Sequence, residues 1–523
     1  MKLTVQELSI EQKLGMLFCA RRFQTEEDLA FTLDLIRRRA LGSVQVPIND
    51  ETPAIMQAVR EAADYPILII NDMEQGYPRA DLPQIPALTL AAADNEDYSR
   101  AFAKAVVATA KAEGFNGTWG PILDLILCDG PCRVSRCFGD TPDAVLRTVW
   151  KIADVFREYG FMSTGKHYPG RHDCPFDTHM AEGISYADAG TLKNVDLVPY
   201  IKLMKEGLLP AIMTAHHSLP NIDPENPASA SKKVIDLIRE LGFDGVCFTD
   251  SLAMMGILQK YGEENVMGKC IAAGNDIVLP NYRTPTKQSF AYLEANYRDG
   301  SFDEARLDEA ARRVIELQNT LAKRADALPT LTERDIECLH LIAHDAITAV
   351  TDEGLTASLG DTAKRRLFAI VAPDSYDEST PTEEIQITAD YDPRRVAAKI
   401  KAEFPNAEVV FVPEHATPKE NERVLVAATR HDEVVFVTFC VTSPYLGTDC
   451  LTRRTEALIN ALGRSGKVSA VVHYGNPYAV TPLSHQKRLI FGYTAPESQE
   501  YAIEVLAGKY PAKGKLPFAL DLA

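Results

Sequence analysis

Lys166–His179 reads KHYPGRHDCPFDTH. The run that leads into it, Ser163–His167, has strand character, and Pro169-Gly170 then turn the chain away. Lys166 and His167 therefore stand where a buried strand must end. The loop that follows carries Asp177 and His179, two residues apart. A carboxylate spaced this way can hold an imidazole in one tautomer and raise its basicity, the arrangement a general acid/base needs near neutral pH. An Asp-x-His pair in a loop is ordinary when it stands alone. The strand before it gives this pair weight, because that strand belongs to a longer series.

From residue 10 to residue 320 short apolar runs alternate with longer amphipathic segments. The predicted strands are Met16–Ala20, Gly42–Val46, Ile67–Ile70, Gly117–Leu123, Ser163–His167, Ala211–Thr214, Gly245–Thr249 and Asp276–Leu279. The helices between them carry punctuation. Asp94 is placed to cap a helix stopping at Gly114. Thr141 is placed to cap one that has Pro142 in its first turn and ends at Gly160, and Ser231 opens one that closes at Gly242. Strand-then-helix units in this number predict a (β/α)8 barrel over residues 1–325. No Gly-x-Gly-x-x-Gly fingerprint and no P-loop follows any strand, which argues against a nucleotide fold. In a barrel, catalytic groups belong at the carboxyl ends of strands. Those ends read Asp72, Asp124, Lys166 with His167, His216 with His217, and Asp250 with Ser251, more polar groups than capping alone requires.

Leu321–Glu337, charged and containing Pro329, reads as a connector, with the linker proper at 326–340. Beyond it a second α/β pattern occupies 341–523, with predicted strands Leu367–Ala372, Glu408–Val412, Glu433–Phe439, Val468–His473 and Leu489–Phe491. A three-layer α/β sandwich is expected there. It shows no strong catalytic constellation, and His473–Pro477 reads as a turn after a strand.

The composition excludes several function classes. Lys and Arg total 55 against 73 Asp and Glu, a formal charge of −18, and no basic stripe offsets it, so nucleic acid is not an expected partner. The amino terminus starts an amphipathic helix and lacks the apolar core of a secretory signal. No apolar run approaches the ~18 residues that span a bilayer. A cytoplasmic protein with no membrane partner is the expectation. The ten cysteines are thinly spread and read as free thiols. Cys128, Cys132 and Cys137 lie near one another in sequence, and Cys174 and His172 fall in the key loop, but the spacings are not those of a zinc knuckle. No metal is expected.

Taken in order, the motifs resemble family 3 glycoside hydrolases, specifically the β-N-acetylglucosaminidase branch in its two-domain form. Leu8–Phe18 (LSIEQKLGMLF) resembles the family's opening helix and first strand, and Asn71–Gly76 (NDMEQG) its Asp-x-Glu-x-Gly turn. Asn116–Asp124 (NGTWGPILD) resembles the segment ending in Pro-x-x-Asp, and Arg136–Pro142 (RCFGDTP) the Arg-Ser-Phe-Gly stretch. Lys166–His179 is similar to the Lys-His-Phe-Pro-Gly loop that closes with Asp-x-His. Ile212–Pro220, Gly242–Met254 and the ending Gly508–Leu520 complete the likeness.

The resemblance implies roles. Asp250 matches the nucleophile, His179 the acid/base and Asp177 its partner. Asp72, Arg136, Lys166, His167 and His216 match positions around the sugar. It implies a retaining exo-β-N-acetylglucosaminidase that needs no cofactor and acts on a small carbohydrate such as a muropeptide fragment, with a homodimer left open. The chain departs from the family at Arg79, which falls one place early, at Cys137 in place of serine, and at Ser251. It also departs at Arg171-His172, where His-Gly is usual. Those two cations suit an anionic substrate group or a phosphate acceptor. Phosphorolysis, a β-glucosidase, and a non-catalytic sugar-binding relative are the competing readings.

Overall fold

The chain opens on a capping box: Ser9 Oγ accepts from the Gln12 amide at 3.3 Å, and Gln12 Oε1 accepts from the Ser9 amide at 2.9 Å. That box makes Ile10–Met16 a helix, so the first strand is Cys19–Ala20 (β1) rather than Met16–Ala20. The structure, a computed structural model, describes residues 2–130, 134–372, 391–440 and 450–521. The chain divides into two units. The first comprises Met1–Gln84, Ser99–Gly130 and Asp140–Ile336, and the second Ile85–Tyr98, Pro131–Gly139 and Glu337–Ala523.

In the first unit, β1 is followed by Ser43–Gln45 (β2), Leu68–Asn71 (β3), Gly117–Thr118 (β4), Thr164–Tyr168 (β5), Ala211–Thr214 (β6), Val246–Ser251 (β7) and Ile277–Leu279 (β8). Pairing is parallel and sequential within β1–β4 and within β5–β8. Parallel bridges close the ring: Gly117 to Met162 and Ile122 to Lys166 between β4 and β5, and Phe18 to Val278 between β8 and β1. The expected (β/α)8 barrel is present. β4 is shorter than its expected span, Gly117–Leu123, because Pro121 has no amide to give the ladder. Beyond the proline, the Leu123 amide still reaches the Lys166 carbonyl at 2.6 Å.

Most helix punctuation lies where expected. Thr141 caps Pro142–Glu158 and Ser231 caps Lys232–Arg239 through their side chains. Asp94 does otherwise: it ends Ala87–Ala93 in a left-handed conformation, φ 46°, and the next helix, Glu96–Glu113, starts beyond Asn95, whose Oδ1 accepts from the Asp97 amide. An antiparallel hairpin, Ser218–Leu219 with Asp223–Pro227, was not expected from the sequence. Its first strand bridges to Ile184 of the Asp-x-His loop.

At the amino end of β8, Asp276 is wholly buried and accepts from Arg239 Nη2 and Arg306 Nη2 at 2.7 Å, Arg313 Nη1 at 3.3 Å and the Cys247 amide at 2.9 Å. This network is at the barrel end remote from the candidate catalytic groups.

The second unit holds a six-stranded sheet. Its strands are Thr348–Thr351 (β9), Arg366–Ala372 (β10), Glu408–Pro413 (β11), Glu433–Cys440 (β12), Val468–Gly475 (β13) and Arg488–Tyr493 (β14), in the order β9-β14-β13-β12-β10-β11. All pairs are parallel except β9 with β14, an antiparallel edge absent from the sequence reading. Phe368, Ile370, Val435, Val437, Ala470, Val472 and Ile490 pack on one face against helices Pro393–Glu403 and Ser498–Ala507. Helices Pro418–Thr429 and Arg453–Arg464 also pack on the sheet, the first on β10 and β11 and the second on β13, giving the expected three-layer α/β sandwich. The predicted connector carries a helix of its own, Glu333–Asp345.

Asp276→Ala should cost about 3–5 kcal/mol of stability, because it removes the one buried carboxylate that Arg239, Arg306 and Arg313 share. Urea unfolding should show the loss. The kcat of the folded variant should stay within about twofold of wild type, because barrel enzymes carry out their chemistry at the opposite rim.

Candidate active site

The carboxyl end of β5 supplies a lysine and a histidine to the barrel mouth. Pairing with β6 passes from Lys166–Met213 to Tyr168–Thr214, and the Lys166–His167 peptide bond is cis. Lys166 Nζ, almost fully buried, lies 2.7 Å from Asp72 Oδ1 and 2.5 Å from Glu74 Oε1, both in the turn after β3. His167 Nδ1 is 2.8 Å from Asp124 Oδ2, and its backbone amide donates to Asp124 Oδ1 at 3.1 Å. Its Nε2 points to Asp250 Oδ2 at 3.9 Å. Asp72, Asp124, Lys166, His167 and Asp250 are thus brought into one cluster.

Asp250 sits in β7 and takes the Ser251 amide on Oδ1 at 2.6 Å. Burial opposes its ionisation. The charges of His167 and His216, the Ser251 amide and Lys166 outweigh burial and hold its pKa well below the usual carboxylate range. Asp124 is held down in the same way, burial being overcome by the charge and hydrogen bond of His167 and by the charge of Arg171. Such a site favours an ionised carboxylate, which is what attack on an electron-poor carbon needs.

His216, expected among the groups that touch the sugar, has both ring nitrogens engaged inside the protein. The Ser229 hydroxyl donates to Nδ1 at 2.7 Å, and Nε2 donates to the Ser251 carbonyl at 3.1 Å. It is fully buried, and burial lowers its pKa. Its place is to prop the backbone behind Asp250 rather than to grip substrate.

Arg21, immediately after β1, is a site residue the sequence reading passed over. Its Nη1 donates to Ser251 Oγ at 2.7 Å and to the Pro280 carbonyl at 3.1 Å, and its Nε donates to Gln45 Oε1 at 2.6 Å. The guanidinium lies between the rings of Trp119 and Tyr282, 6.0 and 5.5 Å from their centroids. The signal was available: Arg21 directly follows a predicted barrel strand.

The Asp-x-His loop begins at Gly170, where φ is 102° and a Cβ would fall 2.6 Å from that of Asp196. Asp177 Oδ1 accepts from the His179 amide at 3.0 Å and lies 2.7 Å from His179 Nδ1. Asp177 is buried while the imidazole is partly open. The same loop is tied to the chain after β7. The Met255 amide donates to the His179 carbonyl at 3.3 Å and the Gly256 amide to the Thr178 carbonyl at 3.1 Å. Those two bonds join the loop bearing His179 to the start of helix Met255–Tyr261, which follows β7.

Arg171 and His172, expected to offer positive charge to a substrate, are engaged within the protein. Arg171 is buried and donates to Thr178 Oγ1 at 2.8 Å, and His172 Nδ1 is 2.8 Å from Asp196 Oδ2. Arg79 is likewise spent on Asp50, at 3.0 Å, and on the Asn49 carbonyl. His217 is enclosed beside this cluster, and burial, reinforced by the charge of Arg171, pushes its pKa down to about 3. Arg136 ends a single 3-10 turn, Val134–Arg136, that belongs to the second unit. Cys132 lies outside the described residues. Among the described residues no group of three His, Cys, Asp or Glu side chains is arranged to hold a metal ion. No helix among them is long and apolar enough to cross a membrane.

Residues 36–317 match the glycosyl hydrolase family 3 N terminal domain. A β-N-acetylglucosaminidase/β-glucosidase of Cellulomonas fimi is 26% identical over 337 residues, covering 61% of this chain and 59% of that enzyme, so the chain spans less than two thirds of that relative's length. A β-hexosaminidase of Actinobacillus pleuropneumoniae serotype 5b (strain L20) is 31% identical over 241 residues, 43% of this chain and 68% of that protein. Among solved structures, a glycoside hydrolase family 3 β-N-acetylglucosaminidase from Paenibacillus sp. str. FPU-7 aligns with a TM-score of 0.79 at 25% identity, over 99% of this chain and 100% of that one. With more than half of its length matched to the family domain, the chain belongs to glycosyl hydrolase family 3.

Proposed function

We propose that the protein is a retaining exo-β-N-acetylglucosaminidase that removes terminal β-linked GlcNAc from small glycans or muropeptide fragments in the cytoplasm. One observation carries this reading: a depressed carboxylate, Asp250, shares the barrel mouth with Lys166 and His167, and the Asp177–His179 loop is hydrogen-bonded to the turn that follows Asp250. Relatives named as β-N-acetylglucosaminidases and β-hexosaminidases support the N-acetyl preference.

The chemistry divides between two groups. Asp250 attacks the anomeric carbon as the glycosidic C–O bond breaks, leaving the sugar esterified to its carboxylate. Asp177, accepting from the His179 ring, keeps a proton on Nδ1 and leaves Nε2 for exchange. In the first step Nε2–H protonates the departing oxygen. In the second, the now neutral Nε2 takes a proton from water, whose oxygen attacks the anomeric carbon and releases the Asp250 carboxylate. Asp72, Lys166 and His167 bind sugar hydroxyls, the cations by charge-assisted donation and Asp72 by acceptance. His216 and Arg21 set the backbone and side chain of Ser251 behind the nucleophile. Phosphorolysis loses the support it drew from Arg171 and His172, since both are committed to Thr178 and Asp196.

With an aryl β-N-acetylglucosaminide, NMR should show β-GlcNAc as the first-formed product, with no sugar 1-phosphate when phosphate is added. Asp250→Gly should lose on the order of 10⁴-fold or more in kcat, with azide restoring turnover as the α-glycosyl azide. First-formed α-GlcNAc, or a fully active Asp250→Gly enzyme, would refute the double displacement.

The depressed pKa of Asp250 also has a sign in stability. A folded value below the unfolded one, about 3.9, stabilises the fold at higher pH and is lost as pH falls through the folded value. Asp250→Asn should therefore melt below wild type at pH 7, with a smaller gap at pH 3. A gap that widens on acidification would contradict the assignment of Asp250 as the carboxylate held ionised by its neighbours.

A further inference from the structure

We propose that Arg171 is the positioning residue that holds the proton-transfer loop in its working place, acting through Thr178. The proposal rests on the reading of His179 as acid/base. Thr178 lies between Asp177 and His179, and it is almost fully buried. Its hydroxyl accepts from Arg171 Nη2 at 2.8 Å, and its carbonyl accepts from the Gly256 amide at 3.1 Å. One short residue is thus gripped from two sides, by a guanidinium at the root of its own loop and by the backbone that follows β7.

The second grip depends on close approach. A Cβ on Gly256 would lie 3.1 Å from both the Thr178 and the Ala181 carbonyl oxygens, so the bare glycine lets the loop settle onto the turn. The first grip depends on charge. Arg171 is buried, and Asp124 feels its charge. Asp124 in turn bonds His167, whose Nε2 faces Asp250. The same buried carboxylate thus bonds the His167 ring beside the nucleophile and feels the charge of the arginine that clamps the loop. A planar guanidinium can donate to Thr178 while keeping its charge toward Asp124, which an ammonium or imidazole of different reach does less well.

A donor of the leaving-group proton must stand within hydrogen-bond reach of that oxygen, and a displacement of about 1 Å costs about 10²-fold. Loss of the clamp should be felt only where the proton matters. The test uses the full chain and aryl β-N-acetylglucosaminides whose leaving groups run from 2,4-dinitrophenol, which departs without a proton, to phenol. Arg171→Ala should lower kcat/KM for the phenyl glycoside by about 30- to 100-fold and for the dinitrophenyl glycoside by less than about threefold, following the displacement estimate above. Arg171→Lys should recover part of the phenyl activity. Thr178→Val, which removes the acceptor at constant volume, should reproduce the pattern and keeps the test open if Arg171→Ala does not fold. His179→Ala serves as the reference. If His179→Ala shows the leaving-group dependence and both Arg171→Ala and Thr178→Val do not, the clamp is wrong and the acid/base assignment stands. Equal losses on every substrate in those two variants would also overturn the clamp. If His179→Ala shows no such dependence, the acid/base reading falls and the clamp with it.

Discussion

Keeping Asp250 ionised out of bulk water is the constraint on which the rest of the site depends. Burial penalises the bare charge, so donors that do not reorganise must replace the lost hydration. The Ser251 amide does this by a hydrogen bond and His167 by facing the carboxylate at 3.9 Å, while the buried Lys166 adds its charge, and the side chains around Asp250 are themselves restrained. His167 is fixed by Asp124, Lys166 by Asp72 and Glu74, and His216 by Ser229 and the Ser251 carbonyl. The closed parallel barrel brings the ends of strands distant in sequence to one rim. The loop with Asp177 and His179, the proton carrier of the proposed mechanism, is held by the Met255 and Gly256 amides, which limit where it can rest.

Much of this was readable before any coordinates. The barrel strands are buried on both faces and so appear as short apolar runs, and the polar residues that end them are conspicuous by contrast. Where the reading slipped, a local rule competed with the period. Met16 is apolar enough for a strand, but the Ser9–Gln12 capping box draws it into a helix. Pro121 interrupts a run that otherwise reads as strand to Leu123. Asp94 has the chemistry of an amino-terminal cap, yet its tolerance of a left-handed backbone made it a carboxyl-terminal one.

The site was legible in composition more than in orientation. Asp250, Lys166, His167 and Asp72 could be named because a strand end leaves a polar side chain few other destinations. His216 stands at the same kind of position, but residue type says nothing about which way the ring faces; Ser229, thirteen residues on, decides that. Arg171 and His172 looked like charges offered to a ligand, whereas Thr178 and Asp196 consume them. Gly256 gave no sign at all, since its value lies in the carbonyls that approach it across the fold.

The interleaved path of the second unit has a consequence for biosynthesis. The Tyr98 hydroxyl reaches Asp345, 247 residues ahead, and Asp94 meets Lys515, 421 residues ahead. Helix Ala87–Ala93, buried when the protein is complete, thus leaves the ribosome long before its final neighbours exist. Because that helix and the 134–139 segment are threaded into a unit otherwise made from the carboxyl-terminal third of the chain, no single cut in the gene yields both units as continuous polypeptides.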